Sequence, residues 1–187
     1  MRWRELFADL EGLADSGERA DLQADVADRT RAEVGQVSLL ARLHAAHGQE
    51  VALTTAGGGQ LRGIVAATGA DWFLVAGTEE AVVMLSAVMT VSGLGREAVS
   101  PEGVSEVDRR LFVGSALRLI VRDRSAVRIL LRDGAELVGT PERIGSDYLD
   151  LAVHDIDQVA RPDAIRHRQA IAFDAIAVVR RSPGAWA

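Results

Sequence analysis

The sequence predicts a mainly β protein with helices, in which two small five-stranded barrels follow one another, each preceded by a helix, after an N-terminal helical arm. Three observations lead to this prediction: a pattern that recurs within the chain, short segments in which apolar and polar residues alternate, and helical spacing of apolar residues before those segments. With 187 residues, the chain is long enough for one ordinary domain or two small ones.

The repeat emerges when the chain is compared with itself at a shift of 76 positions. The segment VALTTAGGGQLRGIVAATGADWFLVA, residues 51–76, then aligns without a gap with VRILLRDGAELVGTPERIGSDYLDLA, residues 127–152. The copies share three glycines and an aspartate that an aromatic residue follows. Beyond a longer loop, residues 82–93 align with residues 170–181 at a shift of 88, so the second copy contains 88 − 76 = 12 additional residues.

Each copy predicts short strands that are joined by tight turns. Apolar residues alternate with smaller or polar ones over residues 51–55, which is typical of a strand with one buried face. Asp133 and Gly134 indicate a hairpin turn, because glycine adopts positive φ easily. The glycine run 57–59 occupies the same place in the first copy. We interpret that run as a turn and not as a phosphate-binding loop, since no Gly-Lys-Ser/Thr follows it.

Helical spacing precedes each set of strands. The segment SEVDRRLFVGSALRLIV, residues 105–121, predicts one helix in which Ser105 caps the N-terminus together with Asp108. A helical segment that stops at Gly48 precedes the first copy, and WRELFADLEGLADS near the N-terminus is amphipathic. The predicted organisation is a helical arm at 1–35, a first domain at 36–94, a linker at 95–104, and a second domain at 105–187 with an inserted loop at 153–168.

Composition limits the possible classes of function. The chain is 48% hydrophobic and 26% charged, so it can bury a core. It contains no cysteine, which excludes disulfides, thiol catalysis and cysteine metal sites. It has no run of 18 apolar residues, and its first residues include acids where a signal peptide would be apolar. We therefore expect a cytoplasmic protein with no membrane partner.

The net charge of −6 is unevenly distributed. Residues 1–94 carry 13 acids and 7 arginines, whereas residues 95–187 carry 14 of each, and the chain has no lysine. Affinity for nucleic acid depends on neutralising phosphates, so the acidic first half argues against a surface that binds nucleic acid all round. That argument does not apply to a local arginine patch.

The pattern V-x-L-x-x-x-x-G-x-x-L-x-G-x-x-x-x-x-G-x-D-aromatic, after a short helix, resembles the first Sm motif of the Sm/LSm/Hfq superfamily. The segment FDAIAVVRRSP resembles the last strand of the Hfq-like RNA chaperones. The resemblance implies an SH3-like, strongly bent five-stranded barrel with an N-terminal helix. Members of the superfamily assemble edge strand to edge strand into six- or seven-membered rings that bind RNA. Two barrels in one chain therefore imply a homo-oligomer in which three chains close a six-barrel ring.

The chain departs from the family pattern at the positions that contact RNA. It has no asparagine to hold a base in the first motif, and the second motif, with its Arg-Gly pair, is absent. The Lys-His pair of Hfq-like proteins corresponds here to Leu85-Ser86 and to Phe173-Asp174, and an aspartate would repel phosphate. These departures count against RNA binding at the family's usual site.

Candidate contacts to nucleic acid or to a protein partner remain elsewhere in the sequence. Aromatic rings can stack on bases, and arginines can pair with phosphates. These candidates are Trp72, Phe73, Tyr148, Arg161, Arg166, His167, Arg168, Arg180 and Arg181.

The sequence predicts no catalytic, cofactor or metal site. His44 and His47 are spaced as a ligand pair, but no third ligand accompanies them. The HDID segment, residues 154–157, has ligand-type residues without the spacing of a calcium or zinc site. Neither a nucleophile with its base nor a pair of catalytic carboxylates is apparent.

We therefore expect a non-catalytic tandem Sm-like module that acts in self-assembly or protein interaction, through exposed barrel edges and the acidic helical arm. The arm is a candidate surface for a protein partner. The alternative is an Hfq-like RNA-binding regulator that uses the aromatic residues and the arginine-rich inserted loop. The acidic balance and the missing base-holding residues favour the first interpretation.

Overall fold

The computed structural model describes residues 34–100, 103–123, 125–155 and 165–181. The chain divides into two compact units, Met1–Ser38 and Leu39–Ala187. Most of the first unit, and with it most of the predicted helical arm, lies outside the described residues. The second unit contains both copies of the repeat.

The second unit is mostly β, as the repeat predicts. Its first half comprises α1 (Leu39–Ala45), β1 (Glu50–Thr55), β2 (Gln60–Thr68), β3 (Trp72–Ala76), β4 (Glu80–Met84) and β5 (Val88–Ser92). Its second half comprises α2 (Glu106–Arg110), α3 (Val113–Asp123), β6 (Val127–Leu131), β7 (Glu136–Ile144), β8 (Tyr148–Val153), β9 (His167–Ala172) and β10 (Ile176–Arg181). Short 3-10 turns connect β1 to β2, β4 to β5, and β9 to β10.

The described strands form a single ten-stranded antiparallel sheet with the order β5-β1-β2-β3-β4-β10-β6-β7-β8-β9. The predicted fold class, two separate five-stranded barrels that each follow a helix, with an N-terminal helical arm, is therefore wrong. Strand β4 of the first half pairs with β10 of the second half, and Val83 faces Val178 across this junction. An open strand edge leaves backbone donors and acceptors unpaired, and the junction satisfies them.

Strand pairing in the two halves matches residue by residue. Val51 faces Gly63 in the first half, and Val127 faces Gly139 in the second, each 76 positions further along. The irregularity in the register between the second and third strands also recurs at the same shift. At both glycines a Cβ would overlap a carbonyl oxygen of the neighbouring strand, which explains why the repeat keeps glycine there. The sequence repeat is thus a repeat of backbone geometry.

One apolar core extends through both halves. Phe73 and Val83 from the first half belong to the same buried cluster as Ile129, Leu149 and Ile176 from the second half. All five side chains are at most 1% exposed. The halves therefore share a core in addition to their sheet.

The glycine run of residues 57–59 lies in the turn between β1 and β2, which confirms the hairpin interpretation. Gly57 and Gly58 both have positive φ, +78° and +77°. A Cβ on Gly57 would overlap the carbonyl oxygen of Leu131 and lie 3.1 Å from the backbone nitrogen of Gly134. The turn of the first half therefore packs directly on the turn of the second half.

The helical segment before β6 is divided in two. Ser105 Oγ accepts a hydrogen bond from the backbone nitrogen of Asp108 (3.1 Å), which confirms Ser105 as the N-terminal cap. Helix α2 nevertheless ends at Arg110, and α3 begins at Val113. The prediction of one continuous helix is wrong at residues 111–112, where contacts to the first half interrupt it.

Candidate functional site

Two of the three aromatic candidates lie in the core. Trp72 and Phe73 are the first two residues of strand β3, and they are 5% and 0% exposed. The indole nitrogen of Trp72 donates a hydrogen bond to the carbonyl oxygen of Leu111 (2.8 Å), which belongs to the interruption between α2 and α3. Both side chains therefore serve the packing of the two halves, and stacking on a base would require the fold to open.

Tyr148 is the repeat counterpart of Trp72, and its environment differs. Its side chain is half-buried, and its hydroxyl accepts a hydrogen bond from Arg143 Nη2 (3.1 Å). The same guanidinium donates to the carboxylate of Asp150 through Nε (3.0 Å). Interactions with Tyr148 and then with Asp150 raise the pKa of Arg143. Tyr148 thus belongs to a polar network on the surface of the second half.

Three of the four arginine candidates that the structure describes are paired with carboxylates. Arg166 contacts Asp155 at 2.8 Å, Arg168 contacts Glu142 at 2.9 Å, and Arg181 contacts Asp123 at 2.9 Å. Because each cation has its own anion, these residues do not form a concentrated positive patch.

The remaining basic candidates lie apart from those pairs. Arg180 Nη2 donates to the carbonyl oxygen of Gln60 in the first half (3.4 Å). His167 Nε2 lies 3.3 Å from Gln169 Oε1. Arg161 lies outside the described residues. The described basic candidates thus lie on β10, on β9 and immediately before β9, and they form no single cluster.

The two histidines His44, in α1, and His47, two residues beyond its end, have separate contacts. His44 Nδ1 lies 2.6 Å from the hydroxyl of Thr68, and burial lowers the pKa of His44, opposed by the charge of Asp108. His47 instead forms an isolated backbone bridge with Val65.

The described part of the HDID segment, His154 and Asp155, makes hydrogen bonds within the protein. His154 is 2% exposed, with Nε2 at 2.9 Å from the hydroxyl of Thr140 and Nδ1 at 2.8 Å from the carbonyl oxygen of Asp155. Asp157 lies outside the described residues. Within the described ranges, no group of three His, Asp or Glu residues could hold a metal ion.

A cavity of about 640 Å³ lies between α3 and the strands β3, β4 and β10. Its lining is mostly apolar, with the paired charges of Asp123 and Arg181 among its polar members. Trp72 and Arg181 are the predicted candidates that line it. The cavity therefore lies at the junction of the two halves. The sequence could not predict this cavity, because the predicted fold kept the two halves separate.

The described sheet ends at two strands that each have only one neighbour, β5 and β9. Natural edge strands usually carry charges or proline to prevent further pairing, but β5 reads VMTVS and carries neither. Met89 on β5 is 69% exposed, although its repeat counterpart Ala177 on β10 is fully buried. On β9, Ala170 is exposed, whereas its counterpart Val82 on β4 is buried, with 8% of its surface exposed.

These two edges are the repeat counterparts of the strands that join the halves. Strand β9 corresponds to β4, and β5 corresponds to β10, both at a shift of 88. The edges of the described sheet, β9 and β5, are thus equivalent to β4 and β10, which already pair with each other within the chain. The alternation of residues in the sequence shows both strands but not which of them remain open.

Comparison with known proteins adds no assignment to this geometry. No protein-family model matches the chain, and no curated protein matches it either. Among the described residues, no helix combines the length and apolar character that crossing a membrane requires.

Proposed function

We propose that this protein is a non-catalytic assembly module whose copies associate head to tail, by pairing β9 of one copy with β5 of the next. The observation that carries the proposal is the internal pairing of β4 with β10, because β9 and β5 are their repeat counterparts. A second copy would give each edge the neighbour that its counterpart already has.

The chemistry of the two edges suits such an association. An added strand satisfies the open backbone donors and acceptors of an edge, and its side chains cover the exposed apolar ones. On β5 the exposed side chain of Met89 is the largest apolar group that pairing would cover. Its repeat counterpart Ala177, on the strand β10 of the internal junction, is fully buried.

The two edges differ, so the interface is heterologous, and association either closes a ring or continues as a filament. The resemblance to Sm/LSm/Hfq-like proteins, which form six- or seven-membered rings, implies that three chains with two halves each close a ring of six. The proposed state is therefore a trimer of the 20.0 kDa chain.

The contacts support a protein partner more than RNA. Trp72 and Phe73 are buried, and Arg166, Arg168 and Arg181 are paired with carboxylates. RNA binding depends on accessible aromatic faces and on unpaired positive charge. The edges, by contrast, are open in the described sheet.

Light scattering coupled to size exclusion tests the proposal. The wild-type chain is expected to elute as a multiple of its monomer mass, and Met89→Lys is expected to shift it to the monomer, because a charge on the edge opposes pairing. Ile64→Lys is the matched control, since Ile64 is 46% exposed on β2, which has neighbours on both sides. A wild-type monomer at high concentration, or equal effects of both substitutions, would overturn the proposal.

A further inference from the structure

We infer that the junction between copies repeats the internal β4–β10 junction residue by residue, so that Asp174 of one copy faces Ala56 of the next. The inference rests on the proposed head-to-tail association and adds its register and a polar contact that it lacks. It follows from the equivalence of the two halves, which holds for every ladder that they have in common.

The register follows from the internal junction by the shift of 88. Within the chain, β4 faces β10 through the pairs Ala81–Arg180, Val82–Val179 and Val83–Val178. Moving the β4 residues forward by 88 and the β10 residues back by 88 gives the pairs between copies. These are Gln169 with Ser92, Ala170 with Val91, and Ile171 with Thr90 of the next copy.

The same shift can be checked on ladders that the chain already contains. Thr54 faces Thr90 in the first half, and Leu130 faces Val178 in the second, so Thr90 and Val178 are equivalent. The register irregularity also recurs at the same place in both ladders. The open edge of β5 is therefore equivalent to the edge through which β10 pairs with β4.

The internal junction has a polar contact beside the paired strands. Arg132, in the turn after β6, donates through Nη2 to the hydroxyl of Ser86 in the turn after β4. The backbone nitrogen of Arg132 also donates to the carbonyl oxygen of Ala175 (2.9 Å), which fixes that turn next to β10. The side-chain contact therefore bridges the two halves.

The junction between copies lacks this bridge. The counterpart of Ser86 is Asp174, which is exposed, and the counterpart of Arg132 is Ala56. A carboxylate would therefore face a methyl group across the junction. The contact between copies is consequently weaker than the contact within the chain, and one substitution can supply the missing cation.

Ala56→Arg is the first test. The new guanidinium is expected to pair with Asp174 of the adjoining copy and to tighten association about 2- to 5-fold, the range of an exposed ion pair. Ala56→Glu should weaken association, and adding Asp174→Ala to Ala56→Arg should remove the gain. Association that is unchanged by all three variants would overturn the inference without affecting the proposed function.

A disulfide reports the register directly, because the chain has no cysteine of its own. The pair Gln169→Cys with Ser92→Cys is expected to link copies into covalent ladders under oxidation, since residues directly opposite in antiparallel strands have Cα atoms within disulfide range. The pair Gln169→Cys with Val91→Cys is one residue out of register and should not link, because adjacent residues point to opposite faces.

The internal pair Ala81→Cys with Arg180→Cys is the positive control, as it has the same geometry within one chain. If that pair links and the wild type associates, absence of the ladder would refute the register alone. A wild type that stays monomeric would refute the proposed function, and the inference with it.

Discussion

The carboxylate of Asp71, in the loop between β2 and β3, accepts a hydrogen bond from the backbone nitrogen of Val113, the first residue of α3 (2.8 Å). Beside it, the carbonyl oxygen of Leu111 accepts hydrogen bonds from the indole of Trp72 (2.8 Å) and from the backbone nitrogen of Ala70 (3.0 Å). One loop of the first half therefore holds the N-terminus of the helix that precedes the second half, and this contact interrupts the predicted continuous helix.

Asp71→Ala is expected to lower the free energy of unfolding by about 1–2 kcal/mol, the usual effect of losing a helix cap. The matched control is Asp147→Ala, because Asp147 is the repeat counterpart and its exposed carboxylate accepts from the neighbouring Ser146. Its effect should stay within about 0.5 kcal/mol. Urea denaturation measures both variants, and equal losses would show that Asp71 is not a cap.

Gly57→Ala and Gly58→Ala separate the effect of backbone conformation from that of packing. Both glycines have nearly the same positive φ, so both substitutions carry a conformational cost of about 1–2 kcal/mol. A Cβ at Gly58 meets open space, whereas one at Gly57 overlaps the carbonyl oxygen of Leu131. We expect Gly57→Ala to lose about 1–3 kcal/mol more than Gly58→Ala in chemical denaturation. Similar losses would mean that the two turns do not pack on each other.

The stability of the fold should fall in mild acid because of His44. Burial lowers the pKa of His44 from 6.5, so the folded state binds its proton less tightly than the unfolded chain does. The stability that neutral His44 contributes is complete above about pH 6.5 and is lost as the pH falls through the lowered pKa. His44→Gln should lose less stability than the wild type between about pH 7.5 and about pH 5.5 in urea denaturation. An identical pH dependence would contradict this assignment.

We expect weak binding of RNA because Arg166 and Arg168 of the second half are paired with carboxylates. Removing those carboxylates tests this explanation. Replacing Glu142 and Asp155 with Gln and Asn removes the carboxylates that Arg168 and Arg166 contact. The double variant should bind a single-stranded RNA at low salt, with an affinity that falls as salt is added, whereas the wild type should bind much less. Strong, salt-sensitive binding by the wild type would instead favour the RNA-binding interpretation.

The repeat and its turns could be predicted because they depend on local chemistry. Positive φ at residues 57 and 58 needs glycine, and the strands alternate in a way that the sequence displays. The pairing of β4 with β10 could not be predicted in this way, because an apolar strand has the same pattern whether its neighbour lies in the same half or in the other. Val82 and Val91 illustrate this. Both lie in short apolar strands, but Val82 is buried on β4 at the junction, whereas Val91 lies on the open edge strand β5.

The site residues show the same limit. Trp72 follows an aspartate in the sequence as Tyr148 does, but only Trp72 is covered by the segment around Leu111. The carboxylate partners of Arg168 and Arg181 lie 26 and 58 positions away along the chain, so composition alone could not show that these charges are neutralised. Both facts depend on contacts between residues that are distant in sequence.

Mixing two edge-blocked variants tests head-to-tail assembly most directly. Met89→Lys blocks β5 and leaves β9 open, whereas Ala170→Lys blocks β9 and leaves β5 open. Each variant alone should have the mass of one 20.0 kDa chain in light scattering, and an equimolar mixture should form a complex of two chains and none larger. A mixture that remains monomeric while the wild type associates, or a single variant that still assembles, would contradict the pairing of β9 with β5.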